Sequence, residues 1–337
     1  MTLVTGGAGY VGSHILITLH EAKYNFVVYD NLCNSSQEPL KRIEKIIGKN
    51  IKFEQGDLRD KIALQNMFKK YEITSVIHCG GLKDAGESVS KALEYFTNNL
   101  KGTLVLLEVM KEYACKKIIF SSSAAVYGTP IASPIKENFE VSPITPYART
   151  KLFIEEMLRD IYTSDNQFKI IILRYFNPVG AHKSGTIGEC PSTIPSNLMP
   201  LISQTAIGKR EFLNVFGADY NTQDGTCIRD YIHVVDLSLA HVKALQIISN
   251  IKEVLTINLG TGKGYSVLEM IKAYEKASGL KIPYKIAERR VGDVAECFAD
   301  TKFAKEILNW ETTKTIDDMC SDTWRWQFNN PNGYEKS

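Results

Sequence analysis

Tyr147 and Lys151 stand four residues apart in a stretch opened by Pro146 and continued by Leu152, Ile154, Met157 and Leu158. Proline suits the first position of a helix, and the apolar spacing after it is helical. Residues four apart share one helical face, so the phenol and the ammonium are neighbours. Free tyrosine titrates at about 10, too high for a base at neutral pH. Lowering it by about three units takes roughly 4 kcal/mol of differential stabilisation. Close cations in a partly dry site supply interactions of that size. A hydroxyl to hold a substrate alcohol is available at Ser123, which ends the run Ile118, Ile119, Phe120, Ser121, Ser122. Together these side chains suit proton abstraction from an alcohol. Tyr-x-x-x-Lys also occurs by chance on ordinary surface helices, so its weight depends on the elements that precede it.

Those elements begin at residues 5–12. Leu3 and Val4 lead into Thr5, Gly6, Gly7, Ala8, Gly9, Tyr10, Val11 and Gly12, and Ile15, Leu16, Ile17 and Leu19 follow at helical density. Gly7, Gly9 and Gly12 fit G-x-G-x-x-G, and Gly6, Gly9 and Gly12 fit G-x-x-G-x-x-G. A strand turning into a helix over bare backbone can take a diphosphate at the helix's positive end. A second strand over 26–29 ends in Asp30, about 20 residues past the glycines, where an acid suits the adenosine ribose hydroxyls. Asn31 follows instead of arginine, and the carboxylate would repel a 2′-phosphate. The expected cofactor is therefore NAD and not NADP. Its oxidised nicotinamide would be a second cation beside Tyr147.

The alternation continues. A third strand is expected over 51–53, followed by Gly56 and Asp57. Asp57 either accepts from the adenine amino group or caps the helix over 61–71. A fourth strand at Val76 and Ile77 ends in His78, Cys79, Gly80, Gly81, Leu82 and Lys83. Lys83 is placed to reach the nicotinamide ribose. A helix over 93–113 carries Asn98 and the stripe Phe96, Leu100, Leu104, Leu107, which suits core or a subunit contact. A sixth strand over 169–174 follows the Tyr147 helix. The fold class is α/β: a Rossmann-type doubly wound parallel sheet, with a smaller C-terminal α/β substrate domain. The alternation loosens after Asn177, which sets an NAD-binding domain at 1–176 and a second, substrate domain at 177–337. Segments near 231–258 are expected to return to the first domain.

Composition sets limits. The chain has 337 residues and a formal net charge of +2, so it carries no electrostatic footprint for nucleic acid or acidic lipid. No apolar run is long enough to span a bilayer, and glycines interrupt the N-terminus too early for a signal peptide. Seven scattered cysteines with no C-x-x-C pair suit reduced thiols in the cytoplasm. The histidines show no metal-ligand spacing, and no metal is expected. Gly260, Gly262 and Gly264 lack the Walker spacing. They read as a structural turn before a helix capped by Ser266 and Glu269.

The chain resembles the UDP-glucose 4-epimerase family of the extended short-chain dehydrogenases/reductases along essentially its whole length. The resemblance rests on residues 5–12, Asp30-Asn31-Leu32-Cys33-Asn34-Ser35, Gly81-Leu82-Lys83 with Gly86-Glu87-Ser88, Ser121-Ser122-Ser123 with Val126-Tyr127-Gly128, and Tyr147 with Lys151. It continues through Leu173-Arg174-Tyr175-Phe176-Asn177-Pro178, Asn197-Leu198-Met199-Pro200, Arg229-Asp230-Tyr231-Ile232-His233-Val234 and Arg289-Arg290 with Gly292-Asp293. It implies NAD on Gly6, Gly9, Tyr10, Val11, Gly12, Asp30 to Ser35, Asp57, Leu58, Cys79 to Lys83, Asn98, Ser123, Tyr147, Lys151 and Phe176. It implies a UDP-hexose on Ala85, Gly86, Glu87, Ser123, Tyr175, Phe176, Asn177, Asn197, Leu198, Asn214, Val215, Phe216, Arg229, Arg290, Asp293 and Cys297.

Guanidinium forks suit diphosphate oxygens and a carboxylate suits ribose hydroxyls; without the resemblance, Arg229 and Arg290 read as surface ion pairs. The implied activity is inversion of C4 of UDP-glucose and UDP-galactose through a 4-keto sugar, in galactose metabolism, by a homodimer. Relatives with tyrosine in place of Cys297 are narrower, so UDP-GlcNAc and UDP-GalNAc are expected substrates too. The chain departs from the family at Cys79-Gly80, usually Phe-Ala, and at Asp84, usually Ala. The extra carboxylate of Asp84 beside Lys83 is expected to temper the positive field at Tyr147. A 4,6-dehydratase would need an added acid beside the serine, where this chain has Ala124 and Ala125.

Overall fold

A computed structural model describes residues 1–191, 195–290 and 292–334. Six short apolar runs form parallel strands: β1 (Thr2–Thr5), β2 (Phe26–Asp30), β3 (Phe53–Gln55), β4 (Ser75–His78), β5 (Lys117–Ser123) and β6 (Lys169–Tyr175). With Leu255–Leu259 they make one seven-stranded sheet, in the order Leu255–Leu259, β6, β5, β4, β1, β2, β3. The order reverses at β1 and β4, which pair with Val4 opposite Ile77 and Thr5 opposite His78. That reversal is the switch point of a doubly wound sheet, where the carboxyl ends open toward a ligand. Both faces are covered by helices, so strand residues of both parities are buried. Leu3 and Val4, Val76 and Ile77, Ile118 and Ile119, and Ile170 and Ile171 are all 0% exposed.

The chain divides into two units. The first contains Met1–Gly128, Val141–Arg174 and Ser238–Ile257, and the second contains Thr129–Glu140, Tyr175–Leu237 and the residues from Asn258 on. The second unit is built from short pieces. Asn177–Val179 pairs in parallel with Tyr231–His233. Ile228–Arg229 is flanked by Tyr265–Ser266 and Glu296–Cys297. Leu213–Phe216 pairs with Tyr284–Ala287. The helices Leu198–Ala206, Val267–Ser278 and Ile316–Asn329 supply Met199, Ile202, Met270, Ile271 and Met319 to its core.

Two elements differ from expectation. The third strand runs Phe53–Gln55, two residues later than the apolar run suggested, because Val28 pairs with Phe53 and Asp30 with Gln55. The expected continuous helix over 93–113 is Ala92–Tyr95, a π-turn Phe96–Lys101 and Gly102–Glu112. A π-turn admits one extra residue per turn. Asn99 within it accepts from the Leu82 N–H at 2.8 Å and donates to the Leu82 carbonyl at 3.1 Å and Thr150 Oγ1 at 3.0 Å. The Ser266–Glu269 capping box forms as expected, as does the Pro146 helix start, with Thr145 as its cap.

The glycine turn has no spare room. A Cβ on Gly12 would stand 2.2 Å from the Gly6 carbonyl oxygen, and this neighbour is backbone that cannot move aside. Gly12→Ala is therefore predicted to destabilise the chain by about 3 kcal/mol, read as a lowered urea midpoint.

Candidate active site

The end of β5 brings the first group together. Ser123 lies beside the Tyr147 hydroxyl and favours its ionised form, and its Oγ accepts from the Ala125 N–H at 3.1 Å. Lys151 is 7% exposed. Its Nζ donates to the Ser121 carbonyl at 2.8 Å and lies 5.0 Å from the centre of the Phe120 ring and 5.9 Å from that of Tyr147. Ser121 Oγ in turn donates to Cys79 Sγ at 3.1 Å. The helix Pro146–Ser164 thus carries Tyr147 and Lys151 onto adjacent points of one strand end.

The electrostatics add a second lysine. Burial is the largest influence on Tyr147 and pushes its pKa up; the Ser123 hydrogen bond and the charge of Lys83 oppose it. The charge that opposes burial comes from Lys83, in the loop after β4. Lys151 is aimed past the ring at the Ser121 carbonyl. Burial also pulls Lys151 down to about 8, against the charges of Cys79 and Glu155, which support its proton. Asp84 accepts from the Glu87 N–H at 2.8 Å and so caps the helix Ala85–Ser90.

The glycine turn fits a dinucleotide. The helix Tyr10–Glu21 starts at Gly9 with no side-chain cap and no acid in its first turn. A Cβ on Gly9 would meet only the Gly6 carbonyl, at 3.3 Å, so this side of the turn is open backbone. Gly6, at φ +68, packs against Gly80, where a Cβ would lie 2.7 Å from the Gly80 nitrogen. Asp30 accepts from Ala8 N–H at 3.0 Å, Leu32 N–H at 2.9 Å and Ser35 Oγ at 3.1 Å, which ties the loop of Asn31, Leu32, Cys33 and Asn34 to the strand end. Lys83 Nζ lies 5.9 Å from the Tyr10 ring centre. Asp57 is held by Arg59 Nε at 2.8 Å and Asn31 Nδ2 at 3.0 Å, and Arg59 holds its carboxyl well below the usual carboxylate range. Of the two readings of Asp57, the cap falls away: the helix Lys61–Lys70 is capped by Asp60. Val11 and Gly12 lie in the first turn of the glycine-turn helix, Leu58 lies against Gly80 and Gly102, and Asn98 sits half-buried beside Asn99 in the π-turn.

In the second unit, Asp293 gathers two guanidinium groups. Arg290 Nε donates to it at 2.8 Å and Arg229 Nη2 at 3.4 Å. Arg229 also donates to the Ile228 and Val294 carbonyls, each at 2.8 Å. Arg229 and Asp293 side chains are each 16% exposed, less open than a surface ion pair. Arg290 lies 5.0 Å from the Phe216 ring centre. Along Leu213–Phe216 the odd residues enter the core, leaving Asn214 and Phe216 on the other face. Cys297 pairs with Arg229, and burial pushes its thiol up to about 11. Asn197 precedes the helix Leu198–Ala206 without a side-chain cap bond. Asn177 is exposed, and its N–H donates to the Asp230 carbonyl at 3.0 Å. The Phe176 N–H donates to Leu259, and Tyr175 is half-buried beside it. The glycines at 260 and 262 wrap the buried Asp230 carboxylate, which accepts from Thr261, Gly262 and Ala299 N–H groups. In the first unit, Glu87 accepts from Tyr95 and Lys91, and Ala85 and Gly86 form the turn before it. Among the described residues no cluster of acids, histidines and cysteines could hold a metal, and no helix is long and apolar enough to cross a membrane.

The sequence and fold are similar to those of known proteins. The family model described as GDP-mannose 4,6 dehydratase matches residues 3–323. A UDP-glucose 4-epimerase of Bacillus subtilis (strain 168) is 54% identical over 99% of this chain and 99% of its own. The chain belongs to the UDP-glucose 4-epimerase family. A crystal structure of the family from Bifidobacterium longum, in complex with NAD+ and UDP, superposes with a TM-score of 0.95 at 51% identity, over 98% of this chain and 99% of that one. Another from Stenotrophomonas maltophila, with bound NAD and formylated UDP-arabinopyranose, gives a TM-score of 0.96 at 44% identity, over 98% of each chain.

Sequence reasoning missed three residues of this epimerase-family site. Glu155 lies one turn beyond Lys151 on the same face, a spacing that could have disclosed it. Asn99 and Asp60 each adjoin a residue that drew attention first. Lys151 generates a prediction. Its folded pKa lies below its unfolded value, so the unfolded chain binds more protons in between, and stability climbs as pH rises from about 8 toward the ordinary lysine range. Lys151→Met is predicted to flatten that climb in urea unfolding measured across pH.

Proposed function

We propose that this chain inverts C4 of UDP-hexoses, interconverting UDP-glucose and UDP-galactose with NAD as a tightly held cofactor. The observation that carries the reading is the meeting of Ser123, Tyr147 and Lys151 at the end of β5, with the Lys151 ammonium on the Ser121 carbonyl 5.9 Å from the phenol ring. Residues 1–176, less Thr129–Glu140 and joined by Ser238–Ile257, act as the NAD-binding domain, and the remainder of 177–337 as the nucleotide-sugar domain. The open turn at Gly6, Gly9 and Gly12 takes the diphosphate of NAD, and Asp30 with Asn31 to Ser35 takes its adenosine ribose. Asp57 and Leu58 border the adenine. Cys79 to Lys83, Asn98 and Phe176 border its nicotinamide end. When bound, NAD supplies a group that withdraws hydrogen from C4 and restores it.

Ser123 holds the sugar 4-hydroxyl while Tyr147, as phenolate, takes its proton, and the same oxygen returns that proton when the sugar presents its other face. Lys151 keeps a positive charge at the strand end. Arg229 and Arg290 hold the diphosphate, Asp293 the ribose, and Asn214 to Phe216 with Asn197 and Leu198 the uracil. Binding energy from the nucleotide holds one end while the 4-keto sugar turns. Ala124 and Ala125 follow Ser123 in a short 3₁₀ turn, leaving no acid there for the C5 or C6 chemistry of a dehydratase.

Cys297 leaves room that a tyrosine would fill, so N-acetylated sugars are substrates as well. The protein works in galactose metabolism in the cytoplasm, consistent with seven free thiols. It acts as a homodimer joined through the helices bearing Phe96 and Leu152. There Val89, Leu93, Leu104 and Phe153 are 68%, 80%, 47% and 41% exposed, and Phe96 stacks on Phe153 at 6.2 Å.

Tyr147→Phe is predicted to lower epimerisation by about a thousandfold while the purified protein keeps its bound NAD. An unchanged rate would remove Tyr147 as the base. Cys297→Tyr is predicted to lose UDP-GlcNAc/UDP-GalNAc interconversion and keep the UDP-glucose pair. Equal loss on both pairs, or none on either, would count against the assignment of Cys297 to sugar range.

A further inference from the structure

Behind the catalytic strand end lies an ion pair that the reaction itself does not use. Glu155 is fully buried and Arg174 is 3% exposed. Arg174 grips the carboxylate as a fork, Nε to Oε1 at 3.0 Å and Nη2 to Oε2 at 2.6 Å. Each partner has further reach. Glu155 Oε1 accepts from Ser122 Oγ at 2.6 Å, and Oε2 accepts from Arg159 at 3.1 Å. Arg174 Nη1 donates to the Tyr127 hydroxyl at 2.9 Å, and the guanidinium lies 4.8 Å from that ring's centre. A buried ion pair is a poor stabiliser, since apolar residues of similar volume do as well or better. Its presence here calls for a geometric reason.

The geometry points to one. Side chains alternate along a strand, so Ser122 faces away from Ser121 and Ser123. Ser122 immediately precedes Ser123, and Tyr127 ends the turn that Ser123 caps. We propose that Glu155 and Arg174 are positioning residues of the epimerisation, a buried clamp that grips the strand end on both sides of Ser123 and so holds the Ser123 hydroxyl against Tyr147. The clamp also neutralises itself. Glu155 lies one turn beyond Lys151, and its carboxylate keeps the Arg174 guanidinium from standing as an unpaired cation near the Lys151 ammonium. The inference rests on the assignment of Tyr147 as base.

The test uses light substitutions at the clamp's two ends, which leave the buried pair in place. Ser122→Ala and Tyr127→Phe are each expected to keep bound NAD and KM for UDP-galactose and to lower Tm by only a few degrees. Each is expected to lower kcat about tenfold through a looser Ser123–Tyr147 geometry. The phenol is faced by Ser123 from β5, Lys83 from the loop after β4 and Lys151 from its own helix. The Ser123 bond is one of the influences that lower its pKa, so the ascending limb of kcat against pH moves to higher pH in both variants. Because both act on one geometry, the double variant falls less than the product of the single losses. Wild-type kcat and limb in both variants would overturn the clamp, as would losses confined to KM or Tm. If Tyr147→Phe still epimerises, the base assignment fails. If Tyr147→Phe is inactive while Ser122→Ala and Tyr127→Phe behave as wild type, the clamp alone fails.

Discussion

A phenol and an ammonium drawn out of water at the end of a single strand set the terms for the rest of the structure. Desolvation acts against the charged form of each, raising Tyr147 and lowering Lys151. Neither group is useful to an acid–base reaction unless its surroundings restore the charge. The chain assembles that restoration from several elements: the Ser123 hydroxyl, the Lys83 charge, the Ser121 carbonyl and the neutralised Glu155–Arg174 pair. Most lie at or near the carboxyl ends of β4, β5 and β6, where a doubly wound sheet gathers its loops.

Much of the first unit was legible because its signals are local. The glycine turn, Asp30, the serine-ending strand and the Pro146 helix start are each written within a few residues, and each forms where the residues place it. What escaped depends on contacts between distant segments. The register of Phe53 against Val28 moved the third strand, and Asn99 reaching Leu82 and Thr150 accompanies the π-turn in an expected straight helix. Asp57 suited either the adenine amino group or the helix cap, and the side chain that accepts from the helix backbone is Asp60, three residues along.

The candidate site was legible in its residue types more than in its couplings. A lysine on the tyrosine's helical face was the natural source of positive charge for the phenol. The folded chain places that lysine 5.9 Å from the ring with its ammonium on the Ser121 carbonyl, and adds the charge of Lys83, which no helical spacing could reveal. In the second unit the arginines at 229 and 290 look like scattered surface charges in sequence. Their convergence on Asp293 exists only after short strands far apart in the chain have paired.

The central claim is that Tyr147, disfavoured as an anion by burial, is nevertheless the base once the site's positive charges face it. The most direct measurement is the ultraviolet phenolate absorbance of the NAD-loaded protein as a function of pH, wild type minus Tyr147→Phe. The account predicts a difference titration well below the ordinary tyrosine value of about 10. A difference titrating at or above that value with NAD bound would contradict it.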